Sequence, residues 1–268
     1  MHYNLEFGGG LGDVLDQLYA GGTYNVLRDL GPDDTATVYL ITHNPFASEL
    51  FAHHPHRDRI TLEVFPYWTP DQDRTERTIR NMPPMGMNQF LPVKYGMIEF
   101  HPGPESTALL NQVSPHEYLV LAAGAGMQER VLPDAVLHDI VSTVTALTNM
   151  PIYAIGRSYE RDGRHEPVVE GYPTVVNWVD RLDVPGTCQL VQNAAGLITA
   201  HSSMAILGWL EDVPELLVYP ESVWNHHAPN NNADQWLRGT RSETTVHTTF
   251  AALGTKDILR FLNIVAHA

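Results

Sequence analysis

The sequence predicts an α/β protein built from two βαβ-type halves whose small-residue loops face a shared cleft. Three observations predict this. Short apolar, β-rich runs alternate with segments at helical spacing. One early run leads into Phe7-Gly8-Gly9-Gly10-Leu11-Gly12-Asp13, and a later one into Ala123-Gly124-Ala125-Gly126. Between them the alternation lapses over Pro66 to Pro115, a proline-rich stretch, and then restarts. That break predicts two domains, 1–113 and 114–268.

Taken in order, Tyr3 to Phe7 reads as a strand, and Leu15, Leu18, Gly22 and Val26 then fall on one helical face. Gly21-Gly22 weakens that helix, by roughly 1 kcal/mol per glycine relative to alanine. Ala36 to Thr42 and Ile60 to Phe65 are further strand runs, and their spacing predicts parallel pairing through crossovers. The stretch from Pro66 to Pro115 shows little periodicity, and Tyr67, Trp68, Lys94, Tyr95 and His101 are its candidate cleft residues. Tyr118 to Ala122 restarts the strands. Pro133 stands at a helix start, and Val136, Leu137, Ile140, Val141, Val144 and Leu147 carry the helical period. Pro151 to Ile155, Gly196 to Thr199 and Glu215 to Tyr219 are the later strands, with a short helix over Thr187 to Asn193. Trp224 to Gln235 reads as a polar loop. Ile258, Leu259, Leu262 and Val265 predict an amphipathic terminal helix, expected to pack back on the N-terminal domain.

Composition excludes several classes. Acidic residues outnumber basic ones by 31 to 16, a formal charge of −15, and no Lys/Arg run is present. Such a surface repels nucleic acid and anionic lipid. Cys188 is the single cysteine, so no intramolecular disulfide forms, which fits a reducing compartment. No apolar run approaches the roughly 20 residues that span a bilayer, and Met1 to Phe7 does not resemble a signal peptide. A soluble cytoplasmic protein without stable membrane insertion is expected. His53-His54-Pro55-His56 does not have the spacing of a structural zinc site, so no metal is expected.

Two loops carry the chemistry. The first joins a strand to a helix through Gly10, Leu11 and Gly12, with Asp13 in the first helical turn. A carboxylate there repels a pyrophosphate, so the loop suits a hydroxyl-bearing group with Asp13 as base or hydrogen-bond acceptor. Asp is equally a favoured helix cap. The second is Thr199-Ala200-His201-Ser202-Ser203-Met204, where a strand ends and an apolar helix begins. Two hydroxyls, free N–H groups and the helix dipole make a site for a diphosphate, with His201 as an added donor. Serine, too, is a common cap.

With these residues assembled, the chain resembles a GT-B glycosyltransferase, most of all glycosyltransferase family 9, the heptosyltransferase-like inverting enzymes. Gly9-Gly10-Leu11-Gly12-Asp13 is similar to that family's opening loop, and Leu121 to Arg130, Ala154 to Ser158 and Gln192 to Pro220 are similar to its nucleotide-binding half. The resemblance implies two Rossmann-like domains, the first for the acceptor and the second for the donor. It implies an inverting, metal-independent transfer from a nucleotide-diphosphate sugar, a co-substrate rather than a cofactor, to an acceptor hydroxyl. Asp13 would be the general base. Gly124, Gly126, Arg130, Gly156, Arg157, His201, Ser202, Ser203 and Glu221 would form the donor side. Two departures bear on the donor sugar. Ala200-His201-Ser202-Ser203 stands where the family carries an Asp-Ser/Thr-Gly loop, and Arg130 is the cation nearest the position of a family lysine.

Other readings stay open. Gly8 to Asp13 partly matches the dinucleotide fingerprint of an NAD-dependent oxidoreductase, with Asp33 or Asp34 at the spacing of a ribose acid, but Asp13 replaces the last glycine. A sugar-nucleotide epimerase or hydrolase would share the donor site. A non-enzymatic nucleotide binder would use Asp13 only as a cap. The acceptor, whether glycan, small molecule or modified DNA, is not specified by the sequence, although the acidic charge counts against duplex binding.

Overall fold

A computed structural model describes residues 1–20, 23–42, 44–65, 98–126, 128–158, 171–222 and 243–268. Gly21-Gly22, the candidates Tyr67, Trp68, Lys94 and Tyr95, and the polar loop from Trp224 lie outside them. Two parallel sheets organise the chain. The smaller has the order β1-β2-β3, with β1 His2–Gly8, β2 Thr35–Ile41 and β3 Ile60–Phe65. The larger has the order β6-β5-β4-β7-β8-β9, with β4 Leu119–Ala122, β5 Ile152–Ala154, β6 Val175–Asn177, β7 Gly196–Ala200, β8 Glu215–Tyr219 and β9 Thr245–Thr249.

The apolar runs form strands because the larger sheet is covered on both faces. Along β4, Leu119 and Leu121 point into one core and Val120 and Ala122 into the other. Leu216 and Val218 of β8 join the first of these. Helix α4 (Asp134–Leu147) and the terminal helix α7 (Thr255–Val265) cover that face. The second core is continuous with that of the smaller sheet. It runs from Leu5, Phe7, Val38 and Leu40 through Val14, Leu15 and Leu18 of α1 (Leu11–Ala20) and Leu27 of α2 (Thr23–Arg28) to Leu207 and Leu210 of α6 (Ser203–Leu210). Helices α1 and α6 are therefore stacked between the two sheets.

Sequence expectation and structure differ at identifiable places. The stretch read as irregular contains a helix, α3 (Pro104–Leu110), started by Pro104 and burying only Ser106. Its seven residues make only two turns, too short for a helical period to show in the sequence. Helix α5 runs Val184–Gln192, beginning three residues before the expected Thr187; Asp183 caps it by accepting the Gly186 N–H at 2.8 Å. Strand β9 was not expected because Thr-Val-His-Thr-Thr is polar, yet Thr245 and Thr248 are buried. The last helix does not return to the smaller sheet. Its Phe261 and Val265 lie over Gly196 of β7, where any side chain would collide with them. No helix among the described residues is long and apolar enough to cross a membrane.

One feature of the larger sheet is electrostatically costly. Glu215 at the start of β8 is 1% exposed, and neither carboxylate oxygen has a hydrogen-bond partner among the described residues. Burial holds its proton far above the usual carboxylate range. The neutral acid is the form that folds. The sign follows: above pH 4.5 the unfolded chain ionises this group while the folded chain does not, so stability falls as pH rises. Glu215→Gln removes that term. Melting curves between pH 4 and 8 should show the variant gaining on the parent by as much as about 1.4 kcal/mol per pH unit. A constant gap would contradict the assignment.

Candidate active site between two sheet edges

Every strand in each sheet is parallel, so the loops that follow the strands gather at one edge of each sheet. On the smaller sheet that edge holds the glycine loop and Asp13. On the larger it holds Gly124, Gly126 and Arg130 after β4, Gly156 and Arg157 after β5, His201 to Ser203 after β7, and Glu221 after β8. Open α/β sheets bind ligands at this edge.

The glycine loop is pinned at each backbone group that the fold can reach. Gln17 accepts the Gly8 N–H at 3.0 Å and donates to the Gly8 carbonyl at 2.8 Å. Gly9, at φ +107°, donates to Ile41 O at 3.0 Å, and the Thr42 hydroxyl donates to Gly9 O at 2.6 Å. Asp13 Oδ2 accepts the Gly10 N–H at 2.7 Å. Asp13 is thus a cap, one of the two roles read from sequence. Its Oδ1 accepts no hydrogen bond among the described residues. Glycine is required at position 9 by the positive φ and by Asp13 itself, whose carboxylate would lie 2.6 Å from a side chain there.

Gly12 brings the two edges into contact. A Cβ on Gly12 would meet Ile206 Cδ1 at 2.5 Å and Ser203 Cα at 3.3 Å, so the start of α1 lies directly on the start of α6. One turn beyond Asp16, Tyr19 donates through its hydroxyl to Glu211, which follows α6, and Gln192 Nε2 donates to the same oxygen at 2.7 Å. Asp16 sits between Gly12 and Tyr19 on this stripe of α1. Its carboxyl is pushed up to about 6, first by burial and then by the neighbouring Asp13 carboxylate. The sequence reading missed Asp16. The three-residue spacing from Asp13 was visible, but the burial was not.

On the larger sheet, Ser202 caps α6, its hydroxyl accepting the Met204 N–H at 3.3 Å, while Ser203 is the first helical residue. His201 is 8% exposed. The loop carrying Gly124, Gly126 and Arg130 closes when Leu132 N donates to Ala123 O at 3.0 Å. Gly126 is exposed, and among the described residues nothing stands within 4 Å of where its Cβ would lie. Arg130 ends a short 3₁₀ turn, with a buried Nε that meets no acceptor among the described residues. Two expected donor residues make hydrogen bonds to other protein groups. Arg157 donates through Nη2 to Glu49 Oε1 at 2.7 Å and through Nη1 to Leu182 O at 3.1 Å, with its guanidinium 4.4 Å from the Phe46 ring centre. Glu221 accepts the Ala251 N–H at 2.7 Å, which holds its carboxyl below the usual range.

His53 lies beside Gly103, where a Cβ would meet its Nε2 at 2.7 Å. His54 is buried, with its ring centre 5.4 Å from that of His101; burial first, then the charges of His101 and other neighbours, pull it down to about 4. Among the described residues no cluster of three or more His, Cys, Asp or Glu could hold a metal.

No family model matches the chain, and no curated protein matches it. Solved structures do. An E. coli ADP-heptose lps heptosyltransferase II aligns at TM-score 0.62 and 11% identity, covering 100% of this chain and 99% of that one. A glycosyl transferase family 9 protein from Veillonella parvula aligns at 0.58 and 11%, covering 100% and 97%. An E. coli heptosyltransferase solved with ADP-2-deoxy-2-fluoro heptose aligns at 0.57 and 11%, covering 100% of both. At this identity the likeness establishes the fold: the chain has the GT-B-type α/β fold of the heptosyltransferases and family 9 glycosyltransferases.

The Asp16 position gives a pH test of this geometry. Between about pH 4, where an unfolded Asp ionises, and about 6, the folded form keeps its proton. The contribution of Asp16 to stability therefore falls across that window and then levels. Asp16→Asn should remove that contribution, about 2–3 kcal/mol, and leave the Glu215 dependence in place. Parallel titration of both proteins by denaturant unfolding measures it, and an identical pH slope would contradict a buried Asp16.

Proposed function

We propose that the chain is a glycosyltransferase that moves a sugar from a nucleotide-diphosphate donor to an acceptor hydroxyl, with inversion and without a metal. The acceptor oxygen forms the new bond to the anomeric carbon as the bond from that carbon to the diphosphate oxygen breaks. The acceptor proton passes to Asp13, and the nucleoside diphosphate leaves with the electron pair. Residues 1–113 form the acceptor side and 114–268 the donor side.

The observation that carries this reading is the contact at Gly12. It brings the Asp13 loop against the start of α6, where Ser203 begins the helix. A base and a helix N-terminus thus belong to opposite lobes and meet, as a displacement at a carbon between them requires. Oδ1 of Asp13 is the oxygen available for a proton. Arg130, with its buried Nε, is the cation assigned to the leaving diphosphate, and the Ser202-Ser203 turn supplies N–H groups. Arg157 is left out of the donor set because its guanidinium is engaged with Glu49, Leu182 and Phe46. Two of the neighbours cited above are named for ADP-heptose or an ADP-heptose analogue, so ADP-sugars are the first donors to test.

The Gly10 contact favours a second reading, in which Asp13 only caps α1 and the protein binds a nucleotide without turnover. Asp13→Asn separates the two, since the asparagine carbonyl still accepts the Gly10 N–H but takes no proton. The transferase reading expects transfer, followed by release of nucleoside diphosphate, to fall at least about 100-fold, the low end for loss of a general base. Nucleotide binding, followed by thermal shift, should be nearly unchanged. Unaltered turnover, or loss of binding instead, would contradict the role of base. With an active donor identified, excess EDTA should leave the rate unchanged; inactivation restored by a divalent ion would contradict metal independence.

A further inference from the structure

The route by which the lobes are joined gives Glu49 a role that no motif suggested. Glu49 lies on a short 3₁₀ helix, Ala47–Phe51, that follows β2 at the edge of the smaller sheet, anchored by buried Ala47, Leu50 and Phe51. Its two carboxylate oxygens both reach the other lobe. Oε1 accepts from Arg157 Nη2 at 2.7 Å, and Oε2 accepts the Val184 N–H at 2.8 Å, at the first residue of α5. Arg157 in turn follows β5 at the edge of the larger sheet, and its guanidinium stacks on Phe46, again from the smaller-sheet lobe. The ion pair is partly buried, with side-chain exposures of 27% and 26%. All three contacts break together if the two edges move apart, and they leave a carboxylate and a guanidinium to be resolvated.

We infer that Glu49 and Arg157 form a latch between the lobes that sets how far apart the two sheet edges stand, and so positions the Asp13 loop against the start of α6. Three properties distinguish it from an incidental surface pair. Glu49 uses both oxygens, so no acceptor is left idle. Arg157 is held from three directions, by Glu49, by the Leu182 carbonyl and by the Phe46 ring. The latch also closes on the edges themselves, one strand-following segment against another, and not on the remote ends of the sheets. The Tyr19–Glu211 contact ties the same lobes at the far end of α1, so opening at the latch would turn the lobes about that end. Glu49 and Arg157 are positioning residues on this account. The latch itself does not depend on the transferase reading; only its consequence for transfer does.

Amide hydrogen exchange and small-angle X-ray scattering on the full chain test it without any substrate. In Glu49→Ala, exchange at Val184 should quicken by about tenfold, the scale of one charge-assisted hydrogen bond. Exchange should also quicken along the seam of α1 with α6, or the radius of gyration should increase. Arg157→Lys keeps the charge but loses the fork that reaches Leu182 and Glu49 together. It should quicken seam exchange by a smaller factor, and it decides the matter if Glu49→Ala fails to fold. Faster exchange confined to the first turn of α5, with seam exchange and scattering unchanged in the folded variants, would overturn the latch.

Discussion

The contact that the rest depends on is backbone against helix at Gly12. Ser203 Cα and the Ile206 side chain occupy the space that any residue larger than glycine would fill. The core of the smaller sheet can therefore run into that of the larger one through α1 and α6 without a gap. Close packing of this kind tolerates little displacement. The hydrogen bonds around Gly8, Gly9 and Gly10 follow from the same requirement, because a loop pressed against a neighbouring helix must have its polar groups satisfied locally. The turn that carries Asp13 is also the turn that packs α1 onto α6.

Carboxylates gather where the two sheets meet: Asp13, Asp16, Glu49 and Glu211 lie on the elements that pack there. Each carboxylate is handled differently. Asp13 receives an N–H, Glu49 receives Arg157 and an N–H, and Glu211 receives Tyr19 and Gln192, while Asp16 keeps its proton to a higher pH than usual. Arg130, the cation proposed for the leaving diphosphate, follows β4 at the edge of the larger sheet.

Much of this was legible in the sequence. Strands β3 and β8 match their expected limits; β8 is buried at every residue, and strands covered on both faces read as near-continuous apolar runs. The glycine loop and the Ser202-Ser203 turn were legible because special backbone and helix starts demand particular residue types. What escaped was set by partners distant in the chain. Thr245 and Thr248 look like loop residues until β8 and α7 bury them. Asp16 looks like a solvated helical acid in the sequence, yet its carboxyl is largely desolvated in the fold. Arg157 follows a strand at the donor edge, and its sequence neighbourhood contains nothing to reveal that Phe46 and Glu49 hold it. Periodicity reports which face of an element is buried; it does not report what buries it.

The most direct measurement of the central claim is a crystal structure with a nucleoside diphosphate soaked into the apo protein. The account predicts the diphosphate at the start of α6, between the Ser202-Ser203 turn and the Arg130 guanidinium. The Gly10 to Asp13 loop would stay free for an acceptor, and the Arg157–Glu49 pair would stay intact. A diphosphate seated on the N-terminus of α1, with Asp13 turned away from Gly10, would contradict it, because that arrangement assigns the glycine loop to the nucleotide and leaves no base for the acceptor.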